Sequence, residues 1–443
     1  MDRRRDGPGL GDLVAATPAE RDRVVDFLRA ASILAVVAGH WLIATVVRAD
    51  DGGLRGTNAL VSMPWLQGLT WLFQVMPVFF VVGGFANLRS LESHGGRDTG
   101  AFLAARADRL LRPTVVFAAI WLVAGPALVA WWAEPDLAAD VARIAAQPLW
   151  FLAVYLLVVL AAPIQLRWHR RAPRGTLVGL VAIVVALDAL RLSDVAPGPA
   201  VANYLAVFLF AQSLGFLYAE GRFSGVSPRR ALAAGISALA ALLLLTTVGP
   251  YPVSMIGLPG QRISNMSPPT LAILVLGLAQ GAVLLAAHDR LARWLERPRV
   301  WRATVVANLV VLTSFLWHLT ALIAAGAALL ALGLPVVEPG TAAWWLQRPL
   351  WLVGAAIILA LLVLALSPVE RRRGPDPATG HPVRRSVGSL AAFLGLAGLA
   401  LAGFGHPFEA GRGDLLGLHL SPAVAVVLLV GGWLSARGPA ASR

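Results

Sequence analysis

The chain has 443 residues, 58% of them hydrophobic and only 14% charged, and it contains no cysteine. Soluble domains are about a quarter charged, so the composition excludes an ordinary soluble protein, and the missing thiols exclude disulfides, thiolate chemistry and cysteine metal sites. All 37 basic residues are arginine and the formal net charge is +13; in a membrane protein such a balance comes from basic cytoplasmic loops more readily than from nucleic-acid binding.

The apolar residues fall in long runs of about 20, the length that crosses a bilayer as a helix. Residues 1–23 are polar and charged, with no small-residue cleavage site after a short apolar core, so the first span is expected to remain as an anchor. In chain order the spans read 24–47, 66–88, 113–132, 149–166, 175–190, 200–219, 231–249, 268–287, 304–332, 347–366, 387–405 and 421–436. The gaps are polar or rich in Gly and Pro. This predicts an all-α polytopic membrane protein of about 12 transmembrane helices, with both termini inside. Residues 24–366 form one membrane unit and 367–386 a basic cytoplasmic linker. Residues 387–436 give two additional helices, and 437–443 a cytoplasmic tail.

Arginine placement tests this layout. Seven of the 37 arginines, Arg48, Arg55, Arg143, Arg191, Arg262, Arg348 and Arg412, fall in or beside the loops assigned outside. The other thirty lie inside or at the inner edge, as the positive-inside rule requires. A missed helix would destroy that alternation downstream of it.

The first span, "RDRVVDFLRAASILAVVAGHWLIATVV" (Arg21–Val47), carries Asp26, Arg29 and His40. Eleven residues make nearly three helical turns, so Arg29 and His40 share a face at a separation of ~16 Å. Asp26 lies close to that face, one turn before Arg29. Ionisable groups at membrane depth face a cavity or a partner. Two readings stay open: an intrahelical Asp26–Arg29 ion pair with a packing histidine, or a polar stripe lining a ligand cavity.

Arg106, Arg109 and Arg112 follow at the start of the third span, at i, i+3 and i+6. They serve either topology and lipid headgroups or one anion site. His318 is the second histidine at membrane depth, in the long ninth span, again either packed or functional. Six further histidines, His94, His169, His288, His381, His406 and His419, fall in loops and read as solvated. Gln74, Asn87, Asn308 and Trp317 are weaker polar or amphipathic candidates. No metal site is expected: no His-Glu-x-x-His and no intramembrane acidic cluster occurs. A Walker loop is excluded because the chain has no lysine.

Five blocks, in order, carry a resemblance: "DFLRAASILAVVAGH" with its Arg, ten residues, His spacing; "QVMPVFFVVGGFANLRSL" (Gln74–Leu91); "RADRLLRP" (Arg106–Pro113); "PLWFLAVYLLVVL" (Pro148–Leu160); and "SFLWHLTALI" (Ser314–Ile323). Together they resemble the acyltransferase 3 family over about residues 21–366. Where that family usually has Ser-Gly-Phe in the second span, this chain has Gly83-Gly84-Phe85. We read the motif as a close-packing turn and the chemistry as needing no serine there.

The resemblance implies a membrane O-acyltransferase of the bacterial plasma membrane. It would move an acyl group, commonly acetyl, from a cytoplasmic acyl-CoA to a hydroxyl of an envelope glycan, lipid-linked or exported acceptor. Acyl-CoA is then a donor substrate rather than a bound cofactor, and the other partners are the acceptor and the lipid bilayer, with no nucleic acid. Within it His40 would be the general base, with Asp26 and Arg29 shaping the donor side. His318 would position the acceptor or polarise the carbonyl, and Arg106, Arg109 and Arg112 would hold CoA phosphates. The rival classes are a twelve-helix secondary transporter, against which no internal repeat is visible, and a scaffold protein, which explains none of the buried polar groups.

Overall fold

A computed structural model describes residues 21–50, 52–93, 99–131, 135–196, 198–371, 382–409 and 419–437. Among these, eleven helices are long and apolar enough to cross a membrane, and Pro422–Arg437 is a shorter apolar helix. The chain is therefore an all-α polytopic membrane protein.

Helix α1 spans Arg23–Ile43 and is capped by Asp22, whose carboxylate accepts from the Val25 N–H at 3.0 Å. This satisfies one of the donors orphaned at a helix start. Next come α2 (Thr70–Phe73), α3 (Met76–Ser93), α4 (Thr99–Trp131) and the short α5 (Pro135–Ala145). Helices α6 (Pro148–Arg171), α7 (Pro173–Leu192), α8 (Asn203–Ala219), α9 (Pro228–Thr247) and α10 (Leu271–Leu295) follow. The chain continues through α11 (Pro298–Leu309), α12 (Val311–Ala331), α13 (Ala342–Arg371), α14 (Pro382–Ala402) and α15 (Pro422–Arg437). Proline opens α6, α7, α9 and α11 at the first helical positions, where its missing N–H removes nothing.

Four expectations from the sequence are corrected. The first helix stops at Ile43, and Ala44–Arg48 pairs antiparallel with Leu54–Asn58 as a hairpin, β1–β2. Thr45, Val46 and Val47 are β-branched, which favours an extended backbone. The second span is interrupted at Gln74–Val75, between α2 and α3. The ninth is two helices, broken at Val310 (φ −128°, ψ 10°). Gly83 and Gly84 lie inside α3 rather than in a turn.

Close packing is nonetheless what the glycines provide. A Cβ on Gly84 would sit 2.3 Å from the Gln212 carbonyl oxygen, and one on Gly215 would sit 2.1 Å from that of Val81. Helices α3 and α8 thus touch backbone to backbone, the small-residue packing that lets membrane helices associate without a hydrophobic force. Beside this crossing runs a buried amide chain. Asn87 Nδ2 donates to Gln212 Oε1 (2.7 Å), and Gln212 Nε2 donates to Gln165 Oε1 (2.6 Å). Gln165 Nε2 in turn donates to Ser213 Oγ (2.8 Å).

Helices α14 and α15 pair through Gly388, Gly395 and Gly432. They lie against α6 and α4 respectively. On the opposite flank Asp188 accepts from Tyr251 (2.8 Å), Asn203 (2.8 Å) and the Leu271 N–H (2.8 Å), anchoring the loop before α10. Burial, reinforced by the Asp188 charge, pushes the Tyr251 hydroxyl above its ordinary value, so it stays a donor.

Gly215→Ala should lower stability by ~1–3 kcal/mol through overpacking. Gly179→Ala in α7, where nothing lies within 4 Å of the added methyl, should gain ~0.5–1 kcal/mol. Thermal unfolding of purified protein in detergent reads both, and equal effects at the two sites would contradict the α3–α8 contact.

Candidate functional site

The stripe on α1 meets one neighbour, the broken pair α11–α12, at two heights. At the lower one, Asp26 is 6% exposed. Its Oδ1 accepts from Arg29 Nη2 at 2.5 Å, and its other oxygen pairs with Arg21. Arg29 Nε donates to Asn308 Oδ1 (2.7 Å), while Asn308 Nδ2 donates to the Asp26 carbonyl oxygen (2.9 Å) and to that of Thr304 (2.9 Å). Both side-chain polar atoms of Asn308 thereby reach α1, while the Thr304 contact stays within α11.

At the upper height His40 Nδ1 lies 2.8 Å from His318 Nε2, with the rings stacked at 5.0 Å. His318 is fully buried, and its Nδ1 lies 2.6 Å from the Phe315 carbonyl oxygen. A carbonyl only accepts, so His318 Nδ1 carries the hydrogen. With both rings neutral, His318 Nε2 must then accept from His40 Nδ1–H, which leaves His40 Nε2 as a lone pair. Trp41 Nε1 donates to the His318 carbonyl oxygen at 2.9 Å and fixes the same contact from below.

Three spaces surround these groups. On the inner side a vestibule of about 940 Å³ is lined by Arg21, Asp26, Arg29, Arg89, Tyr218 and His288. It shares Arg29 and Ala86 with a narrow slot of about 90 Å³. Gly83, Arg106, Arg109, Tyr155, Phe315 and Glu370 also line the slot. On the outer side His40 opens into a cavity of about 350 Å³ under the β1–β2 hairpin and α5, where Asn58, Asp140, Arg143 and Gln147 supply polar groups. Arg348 holds this roof, donating to the Ala44 carbonyl oxygen at 2.6 Å and stacking on Trp344 at 4.1 Å. Phe315 thus lies at the top of the slot, and its carbonyl orients the His318 ring.

The arginines of α4 separate. Arg106 donates to the Ala86 carbonyl oxygen (2.5 Å) and, with Arg109, lines the slot. Arg112 turns toward Asp108, which also accepts from Trp433 (3.1 Å) and pairs with Arg437 (3.0 Å) of α15. Of the weaker candidates, Gln74 donates to the Met255 carbonyl oxygen (3.1 Å), Asn87 belongs to the amide chain, and Trp317 packs edge-on to Phe117 at 5.0 Å.

The loop histidines divide too. His94 and His381 lie outside the described residues. His169 is fully buried rather than solvated, 3.4 Å from Glu220. His288 bonds Tyr218 (2.9 Å) in the vestibule.

Two slot residues were missed in the sequence. Tyr155 reads as one more aromatic in an apolar span. Glu370 falls in the basic stretch taken as linker, yet α13 runs on to Arg371. The Glu370 carboxylate accepts from the Leu312 N–H (3.1 Å), the Thr313 N–H (2.8 Å) and the Thr313 hydroxyl (2.6 Å). It caps α12 at the break, where four helical N–H groups lack partners. An acid ending a hydrophobic span beside a broken helix was the available clue.

The family model for the acyltransferase domain of the acyltransferase 3 family matches residues 22–367. The chain belongs to the acyltransferase 3 family. It is accordingly a transferase enzyme and a multi-pass membrane acyltransferase. The family match contains both heights of the α1 stripe and every residue lining the slot except Glu370, and it ends before α14 and α15. No curated protein and no solved structure matches the chain.

Arg29→Ala and Asn308→Ala should be strongly coupled. A double-mutant cycle on unfolding in mixed micelles should give an interaction of ~1.5–3 kcal/mol, the range for a hydrogen bond to a charged group. A cycle pairing Asn308 with the exposed Arg262 should be additive.

Proposed function

We propose that this acyltransferase carries an acyl group, acetyl in the simplest case, from a cytoplasmic acyl-CoA to a hydroxyl of an envelope acceptor. The carrying observation is the His318–His40 relay, which leaves a lone pair on His40, a residue that lines the outer cavity.

The donor side is the vestibule and slot. Coenzyme A is strongly anionic, and guanidinium forks match phosphate oxygens. Arg29, Arg89, Arg106 and Arg109 line these two spaces. The slot's small volume suits the slim pantetheine arm rather than a sugar. Inner-side arginine excess supports reading this as the cytoplasmic face of a bacterial plasma membrane.

The reaction then balances without a covalent enzyme intermediate. His40 Nε2 takes the proton of the acceptor hydroxyl as its oxygen attacks the thioester carbonyl. The tetrahedral adduct collapses by breaking the C–S bond. The proton held on His40 returns to the departing CoA thiolate, giving ester and free thiol. His318 acts by orienting His40 and by accepting from its Nδ1–H, which steadies the imidazolium while it exists. Asp26 and Arg29 shape the donor mouth; at ~21 Å and ~16 Å of helical rise from His40 they do not share its proton.

His40→Ala should reduce acyl transfer ~10²–10⁴-fold, the usual contribution of a general base, at matched expression in inverted vesicles given labelled acetyl-CoA and envelope extract. Full transfer by that variant would remove His40 from the chemistry. Arg106→Ala/Arg109→Ala should raise the KM for acetyl-CoA at least tenfold, and an unchanged KM would remove the donor assignment.

A further inference from the structure

The outer cavity has a lateral neighbour. Between α4 and α12 runs a groove of about 700 Å³, and Ile323 and Ala327 line both spaces. Ala124, Ala127 and Ala324 complete its shallow sides. The groove contains little polar chemistry. Trp121 Nε1 donates to Thr320 Oγ1 at 3.1 Å, so these two groups already satisfy each other. Its rim faces outward from the helix bundle: Ile120 is 41% and Trp131 86% exposed. In an α-helical membrane protein that direction is the bilayer. The helices therefore join a polar chamber at His40 to an apolar channel at the same depth, with an open lipid side.

We propose that the groove holds the hydrocarbon chain of a membrane-resident, hydroxyl-bearing acceptor whose polar head lies in the His40 cavity. This inference rests on the acyltransferase reading and names its acceptor class. The donor side is supplied from the inner vestibule, so the lateral groove is free for the other substrate. A water-soluble acceptor would use only the polar chamber roofed by Asn58, Asp140 and Gln147. An amphiphile uses both spaces, with its polarity changing at Ile323 and Ala327. The volume lies inside the ~300–1,000 Å³ range of ligand sites. Lateral loading also lets the acceptor reach His40 without its hydrocarbon chain crossing water.

The test uses the full chain in phosphatidylcholine nanodiscs. One probe is a dodecyl β-glucoside with a diazirine near the chain terminus; the other is phosphatidylcholine carrying the same diazirine. After photolysis, labelled positions are mapped by mass spectrometry. The glucoside should label residues 120–131 and 317–327 at least fivefold more than the phosphatidylcholine probe, and unlabelled dodecyl glucoside should compete. Ala324→Phe, which fills the groove, should reduce this labelling at least fivefold, whereas Leu361→Phe on the exposed face of α13 should not.

Equal labelling by both probes would mean annular lipid only and would overturn the proposal, as would absence of glucoside labelling in these segments. The two-probe comparison on wild type stands even if a variant fails to fold. Labelling needs no turnover, so it reads the seating of the acceptor separately from catalysis. Intact labelling with no acyl transfer to any acceptor would sink the acyltransferase mechanism alone. Transfer to a water-soluble acceptor without groove labelling would sink the groove assignment alone.

Discussion

The register of α1 against α11–α12 is set by two polar contacts about three turns apart, Arg29 with Asn308 and His40 with His318. In hydrocarbon an unpaired polar group costs several kcal/mol, so neither contact can slip by a residue without leaving orphans at both heights. This double fixation is why α1 can carry an acid, a guanidinium and an imidazole and still pack as a membrane helix. It also explains the break at Val310. The two heights call for α11 and α12 to meet α1 at different rotations, and the freed N–H groups of α12 are returned to Glu370. Helix α13 is thereby drawn to the slot by its own carboxylate.

The two helices beyond the family match act on the outer end of this assembly. Gly125 allows α4 to approach the Phe404 carbonyl oxygen, 2.4 Å from where its Cβ would lie. Phe404 is fully buried against Trp121 (6.1 Å) and Phe117 (6.0 Å), and Phe117 in turn contacts Trp317 beside His318. The Phe404 N–H donates to the Ala142 carbonyl oxygen of α5 (3.3 Å), the helix that roofs the His40 cavity. The pair α14–α15 therefore braces two walls of the outer chamber from behind. At the inner end the same pair takes up Asp108 through Trp433 and Arg437, which accounts for the turn of Arg112 away from the slot.

What the sequence made legible follows from periodicity. The polytopic all-α character and the shared face of Arg29 and His40 depend only on helical rise and hydropathy, both local properties. The partners on the other side do not. Asn308 and Glu370 acquire meaning only when α11, α12 and α13 are brought against α1, a packing fact 279 residues distant for Arg29. The β1–β2 hairpin was hidden because Ala44–Val47 is apolar enough to prolong a membrane helix; its β-branched residues were the contrary signal. Arg106, Arg109 and Arg112 show the limit of spacing arguments. Steps of 100° carry the third side chain off the face of the first two, and the nearby Asp108 decides where it goes.

Gly83 decides what stands beside α3 in the slot. A Cβ there would lie 3.2 Å from Tyr155 Cε2 and 3.7 Å from its hydroxyl. The bare backbone is thus what admits the Tyr155 ring, which packs among Phe79, Phe80 and Phe151 and lines the slot beside Gly83. A serine at this position would press on the ring and bring its own hydroxyl within reach of the phenol. The slot keeps a hydroxyl at nearly the same place, borne by α6 instead of α3. The departure from Ser-Gly-Phe therefore does not strip the slot of its polar atom. It moves that atom onto an aromatic side chain held among Phe79, Phe80 and Phe151, whose phenol O–H can donate a hydrogen bond into the slot.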